Sequence, residues 1–206
     1  MSAIELILSG LFLLFLGLSF RISNIASLDQ KICLKVHYFL KPQPWISVFR
    51  FLWPFGMTLV ALGVIVALIF INPIQGISSA IAFLFFAGID RSIKILFQRR
   101  RPFELQPGTM MLQPHKPSDP SFPSGDTFHI WFVMLTLTQI FHLPILLIVG
   151  CALLAILVSL GRIALGVHFP LDIIAGAGIG IAAAGTGTIF NHFLSSGWLT
   201  FIINVV

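Results

Sequence analysis

Charged residues along this chain gather between long uncharged stretches. No Asp, Glu, Lys or Arg occurs from Leu6 to Phe20, from Phe51 to Ile89, from Thr127 to Gly161 or from Ile173 to Val206. A helix crosses the roughly 30 Å hydrocarbon core of a bilayer with about 20 mainly apolar residues. The second stretch is interrupted at Asn72-Pro73-Ile74-Gln75-Gly76 and reads as two spans joined by a tight turn. The third is broken at His142-Leu143-Pro144 and reads as a second hairpin of spans. Ile173 to Phe190 is long enough for one more. Leu6 to Phe20 could be a signal peptide, but no basic segment precedes it and no small-residue cleavage pattern clearly follows, which favours an anchor helix. The pattern predicts an all-α polytopic membrane protein, a six-span helix bundle forming a single domain over residues 1–206. Unbroken apolar runs, in place of ten-residue alternation, argue against a membrane β-barrel.

Between Arg21 and Trp45, Leu28, Ile32, Leu34, Val36, Tyr38 and Phe39 interleave with Asp29, Lys31, Lys35 and His37. That mixture is too polar to cross the bilayer and suits an amphipathic helix lying along the interface after the first span. Gly176, Gly180 and Gly185, with Ala175, Ala177 and Ala182 to Ala184, line the last span with small residues and predict close helix packing. Composition agrees with the membrane reading: 57% of residues are hydrophobic and 9% charged, with a mean hydropathy of +1.01. The net charge is +5, yet the 12 Lys and Arg form no long basic arm, so nucleic acid is set aside as a partner. Cys33 and Cys151 fall in different predicted elements and match no metal-ligand spacing.

With six alternating spans, every Lys and Arg falls at one end of the bundle, and by the positive-inside rule that end would be cytoplasmic. Three segments at this end suit an anionic group. Lys94 and Arg101 flank the end of the third span, Pro123-Ser124-Gly125-Asp126 opens the fourth, and Arg162, His168 and Asp172 join the fifth to the sixth. Two guanidinium forks and an ammonium match phosphate oxygens in charge and geometry. Ser124 and Gly125 precede a helix, whose N–H groups and dipole favour an anion. Pro170 suits a first helical turn, leaving His168 at the entrance and Asp172 one turn on. That spacing lets a carboxylate hold one imidazole nitrogen while the other acts as a nucleophile. Each segment also has a plainer reading. Arg99-Arg100-Arg101 alone is more often a juxtamembrane anchor, Pro-Ser-Gly a turn with a helix cap, and lone histidines such as His37 or His192 incidental. His168 with Asp172 could be a structural hydrogen bond. Coincidence on one face favours chemistry.

These residues resemble the type 2 phosphatidic acid phosphatase (PAP2) superfamily, membrane lipid phosphatase branch. Its pattern is Lys, six residues, Arg-Pro; then Pro-Ser-Gly-His; then Ser-Arg, five residues, His, three residues, Asp. Lys94 with Arg101-Pro102, and Arg162 with His168 and Asp172, keep that spacing. The resemblance implies that His168 attacks phosphorus and forms a phosphohistidine, with Asp172 orienting it. Lys94, Arg101, Arg162, Ser124 and Gly125 would bind phosphoryl oxygens, and no metal or other cofactor would be required.

Two positions depart from the pattern. Gly161 replaces the Ser before the arginine, and Asp126 stands where the family has the His that protonates the leaving group. An ordinary Asp pKa of about 3.9 makes a poor acid near neutrality without burial or a neighbouring anion. His129, one turn further on, is the other candidate donor; motif position favours Asp126. A diphosphate leaving group would need little acid help. The resemblance thus implies an integral membrane phosphatase acting on a lipid phosphate or lipid diphosphate. Its alternatives are a lipid A phosphatase or phosphotransferase variant, a catalytically silent lipid-phosphate binder or translocator, and a haloperoxidase-like enzyme that the membrane composition disfavours. Partners would be the lipid substrate and membrane lipids, with oligomeric state open. The family places its site outside the cytoplasm, against the charge rule, and the expectation here follows the family: a bacterial inner membrane with the site facing the periplasm or exterior.

Overall fold

A computed structural model describes residues 2–198, and all regular structure among them is helical. The end of the uncharged run from Ile173 to Val206, residues 199–206, lies outside the described residues. Helix α1 (Ala3–Leu18) starts on a reciprocal cap, Ser2 accepting from the Glu5 N–H while Glu5 accepts from the Ser2 N–H. Then follow α2 (Ser23–Leu40), α3 (Trp45–Leu52), α4 (Thr58–Ile71), α5 (Pro73–Phe97), the single turn α6 (Pro102–Leu105), α7 (Gly125–Ile140), α8 (Ile145–Ala164) and α9 (Pro170–Phe193). The two expected hairpin turns are present: Asn72 caps α5 with Pro73 in its first turn, and α7 ends before His142 and Pro144.

Among the described residues, three segments are long and apolar enough to cross a membrane unaided: Ala3–Arg21, Ile145–Ala164 and Pro170–Ser196. A fourth crossing would be the pair Trp45–Gly56 and Thr58–Ile71, which bends by 47°. The expected second span is therefore broken, because Pro54 and Gly56 end α3 in a tight 3-10 turn (Trp53–Gly56). Helix α5 carries Asp90, Arg91 and Lys94 in its last two turns, and α7 has only 16 residues.

The last helix, α9, is the axis of the bundle, packed by α1, α5 and α7. Its small residues serve the predicted close packing: Gly178 meets the Gly10 carbonyl of α1, whereas Gly180 meets the Phe128 carbonyl of α7. Phe83, Phe128 and Phe132 fill the core beside them. Helix α2 turns a polar stripe inward. Asp29, Cys33 and His37, at successive turns, are buried, while Leu28, Ile32, Tyr38 and Phe39 are exposed.

Candidate active site

Helix α5 ends when Gln98 adopts a left-handed conformation, φ 42°, and donates to the Lys94 carbonyl. Beyond it the chain runs extended to Arg101, the residue before Pro102, so alternate side chains point to opposite faces. Arg99 and Arg101 are buried, and Arg100 alone is exposed. Burial of Arg99 and Arg101 does not suit the plainer reading of the three arginines as a juxtamembrane anchor. Arg101 donates through Nη1 to the Val167 carbonyl at 3.0 Å and lies 3.2 Å from His168 Nε2. Asp119, in the loop before α7, is held by Lys94 Nζ at 2.6 Å and Arg101 Nη2 at 2.7 Å. Burial alone would raise the Asp119 carboxyl, but these cations outweigh it and hold it down to about 2.

His168 lies in the short connection between α8 and α9. Gly166 makes this connection possible: its φ is 76°, and a side chain there would collide with the Met110 carbonyl. An arginine can only donate, so its contact fixes Nε2 of His168 as a lone-pair acceptor and puts the hydrogen on Nδ1. Nδ1 faces Asp172 Oδ2 at 3.5 Å and is buried without a hydrogen-bond partner. Asp172 sits in the first turn of α9, where Oδ2 accepts the Phe169 N–H at 2.8 Å and the Ser121 hydroxyl, and Oδ1 accepts Arg99 Nη1 at 2.6 Å. Burial, with Arg101, Arg162 and Lys94 nearby, pushes the His168 imidazole well below its ordinary value and keeps it neutral.

At the start of α7, Gly125, Asp126 and His129 line the same cavity, and Ser124 lies behind its wall. The Ser124 N–H donates to the Asp172 carbonyl at 3.0 Å, so it is engaged in joining α7 to α9 and is not open to a phosphoryl oxygen. Asp126 pairs with Arg162 Nη2 at 3.0 Å. Arg162 also donates to Gln113, but its Nε and Nη1 are buried without a partner. His129 Nδ1 faces the Gly56 carbonyl at 2.9 Å, which makes it the donor and leaves Nε2 as the other ring nitrogen. The bend between α3 and α4 thus fixes this ring. Gly56 is required there, because an added Cβ would stand 2.8 Å from the Asp126 Cβ.

The result is a cavity of about 510 Å3 walled by Lys94, Arg101, Arg162 and His168, with Asp90, Asp119, Asp126 and Gln113 among them. Trp53, Met57, Leu59 and Ala87 form its apolar side. Among the described residues, no group of three His, Cys, Asp or Glu side chains is placed to hold a metal ion. Sequence reasoning missed Asp119 and Gln113, which lie in an irregular loop, and Arg99, which joins Asp172 to Asp29. It also set His37 aside; the ring is buried, facing the Ala164 carbonyl at 3.0 Å and accepting the Met110 N–H at 3.3 Å. The stripe of Asp29, Cys33 and His37 was the available signal.

The model of the PAP2 superfamily matches residues 58–195, about two thirds of the chain. The chain belongs to the PAP2 superfamily. Over 103 residues it is 38% identical to the undecaprenyl-diphosphatase of Sulfolobus acidocaldarius, a match covering 49% of this chain and 48% of that protein. The chain therefore spans about half the length of this relative. Among solved structures, the transmembrane PAP2-type phosphatidylglycerolphosphate phosphatase of Bacillus subtilis superposes with a TM-score of 0.73 at 22% identity, covering 96% of this chain and 99% of that one. LpxE of Aquifex aeolicus gives 0.67 at 25% identity, covering 78% and 92%. The chain is an integral membrane protein of this fold.

Proposed function

We propose that this PAP2 protein removes the terminal phosphate of a membrane lipid diphosphate of the polyprenyl type through a phosphohistidine on His168. The observation that carries the reading is the position of His168. Its lone-pair Nε2 stands among Lys94, Arg101 and Arg162, with Asp172 behind the ring. The two unpartnered donors of Arg162 are buried in the same place and suit phosphoryl oxygens. Arg101 Nη1 passes from Nε2 to a phosphoryl oxygen and frees the lone pair; Nε2 then attacks the terminal phosphorus in line, the N–P bond forms, and the P–O bond to the lipid monophosphate breaks. Asp172 stabilises the charge that the Nδ1–H ring acquires. Water then attacks phosphorus, the N–P bond breaks, and orthophosphate leaves. Cations surrounding the transferred group stabilise its charge throughout.

Diphosphate is preferred over monoester because of Asp126. The carboxylate at the usual acid position is already engaged with Arg162 at 3.0 Å. A lipid monophosphate leaves readily without a proton. Where a leaving group needs a proton, its donation is assigned to His129, whose Nε2 is the ring nitrogen not held by Gly56. Likeness to the Sulfolobus undecaprenyl-diphosphatase supports the same substrate class. The lipid tail is placed along Trp53, Met57, Leu59 and Ala87, reached sideways from the bilayer between α4 and α5.

The chain is read as crossing six times, the bent pair, α5 and α7 completing the three unaided spans, with α2 along the interface. The site is placed on the outer side of a plasma membrane. Lys94, Arg99, Arg101 and Arg162 are buried in the site, which weakens their weight in the positive-inside rule. The test is phosphate release by purified protein from a polyprenyl diphosphate, a polyprenyl monophosphate and phosphatidate, with His168→Ala as control. Fastest release from the diphosphate, lost in His168→Ala, is expected. Binding without release from any of the three would instead indicate a catalytically silent lipid-phosphate binder.

A further inference from the structure

We propose that Asp29 is a positioning residue for the reacting histidine, acting through Arg99 and Asp172; the inference rests on His168 being the nucleophile. Arg99 forks between two carboxylates, with Nη1 2.6 Å from Asp172 Oδ1 and Nη2 2.6 Å from Asp29 Oδ2. Its guanidinium carbon lies over two aromatic rings, 4.4 Å from the Phe20 centroid and 4.2 Å from that of Phe169. Asp29 also accepts the Leu171 N–H at 3.0 Å, so it grips the first turn of α9 directly. One helical turn along α2, Cys33 Sγ reaches the His168 carbonyl at 3.8 Å. Helix α2 therefore holds both sides of the connection that carries His168.

Charge explains why a second carboxylate belongs there. Arg99 alone against Asp172 would make a neutral pair, and the imidazole would face no net anion as it gains charge on phosphorylation. Asp29 offsets the Arg99 charge, so the trio keeps a net charge of one anion beside His168. In this dry setting each member is close to fully buried, and its neighbours are not screened by water. Nor does the guanidinium touch the cavity, which separates it from the phosphate-binding Lys94, Arg101 and Arg162.

The test compares kcat and KM for a polyprenyl diphosphate in the full-length protein, wild type against Asp29→Asn, Asp29→Glu, Asp172→Asn and the double variant Asp29→Asn with Asp172→Asn. Asp29→Asn should lower kcat about 10- to 100-fold, the range for residues that orient an active group from behind, and leave KM within about twofold. Asp29→Glu should recover part of that loss, and the double variant should be no slower than Asp172→Asn alone. Arg99→Lys keeps one charge but cannot fork between two carboxylates, and it carries the same expectation if Asp29→Asn fails to fold. Wild-type kcat in a folded Asp29→Asn or Arg99→Lys protein, a change confined to KM, or additive losses in the double variant would overturn the assignment. An active His168→Ala would instead overturn the reading of the site itself.

Discussion

The Asp119 carboxylate lies 2.7 Å from Nη2 of Arg101, and the same carboxylate lies 2.6 Å from Nζ of Lys94. Of the three cations meant for phosphate, Arg162 faces Asp126, and the other two thus share this internal anion. An incoming phosphoryl group must share or displace it. Asp119→Asn should therefore tighten both the substrate KM and the inhibition constant of orthophosphate, by about tenfold if one full ionic contact is relieved. Steady-state kinetics with added orthophosphate measures this. A rise in both constants would mean that Asp119 holds the cations in place for the substrate and does not compete with it.

The pH dependence follows from His168. Burial and three neighbouring cations hold its imidazole well below the ordinary value, so the neutral, nucleophilic form persists as pH falls through 6.5. The rate of phosphoenzyme formation in a single turnover should show no loss from His168 protonation between pH 8 and about pH 6. Replacing Lys94 by Met should move any acid limb upward, because one cation that disfavours the protonated ring is gone. An acid limb centred near 6.5 in the wild type would contradict this environment.

Leaving-group dependence separates Asp126 from His129. His129→Ala should slow hydrolysis of a polyprenyl monophosphate by about 10²- to 10⁴-fold, the range for general acids, and affect a diphosphate much less. Asp126→Asn should be milder on the monophosphate, acting through Arg162 orientation. The reverse ranking would return the donor role to Asp126, and equal losses on both substrates from both variants would leave each in binding alone.

Gly56 offers a structural check on the same pair. A Cβ there would press on Asp126 at 2.8 Å, whereas one at Gly63 on the neighbouring helix would meet nothing within 4 Å. Gly56→Ala should lower kcat and thermal stability, and Gly63→Ala should change neither. Unchanged kcat in Gly56→Ala would mean that the bend does not set the position of Asp126 and His129.

Local pattern carried much of this in the sequence, and long-range pairing did not. The spacing of Lys94 with Arg101, and of Arg162 with His168 and Asp172, is read off helix ends and one short connection. Asp29 meets Arg99 across 70 residues, and Asp119 meets Lys94 across 25, so neither leaves a periodic mark. Pro54 and Gly56 were visible, but uniform hydropathy from Phe51 to Ile89 hid the bend. The buried His37 sits in a mixed segment, where charged neighbours such as Lys31 and Lys35 obscured its place on the inward stripe. On an outer helix that exposes Leu28, Ile32, Tyr38 and Phe39, the inward stripe can be the polar one, which inverts the usual amphipathic expectation.

Trapping the covalent intermediate tests the central claim most directly. Protein mixed with a polyprenyl diphosphate labelled with 32P at its terminal phosphorus, then quenched in alkali within milliseconds, should carry acid-labile, alkali-stable label on the peptide containing His168. The His168→Ala variant should carry none. Full turnover with no label on His168 at any quench time, or label that persists in His168→Ala, would contradict a phosphohistidine mechanism at this residue.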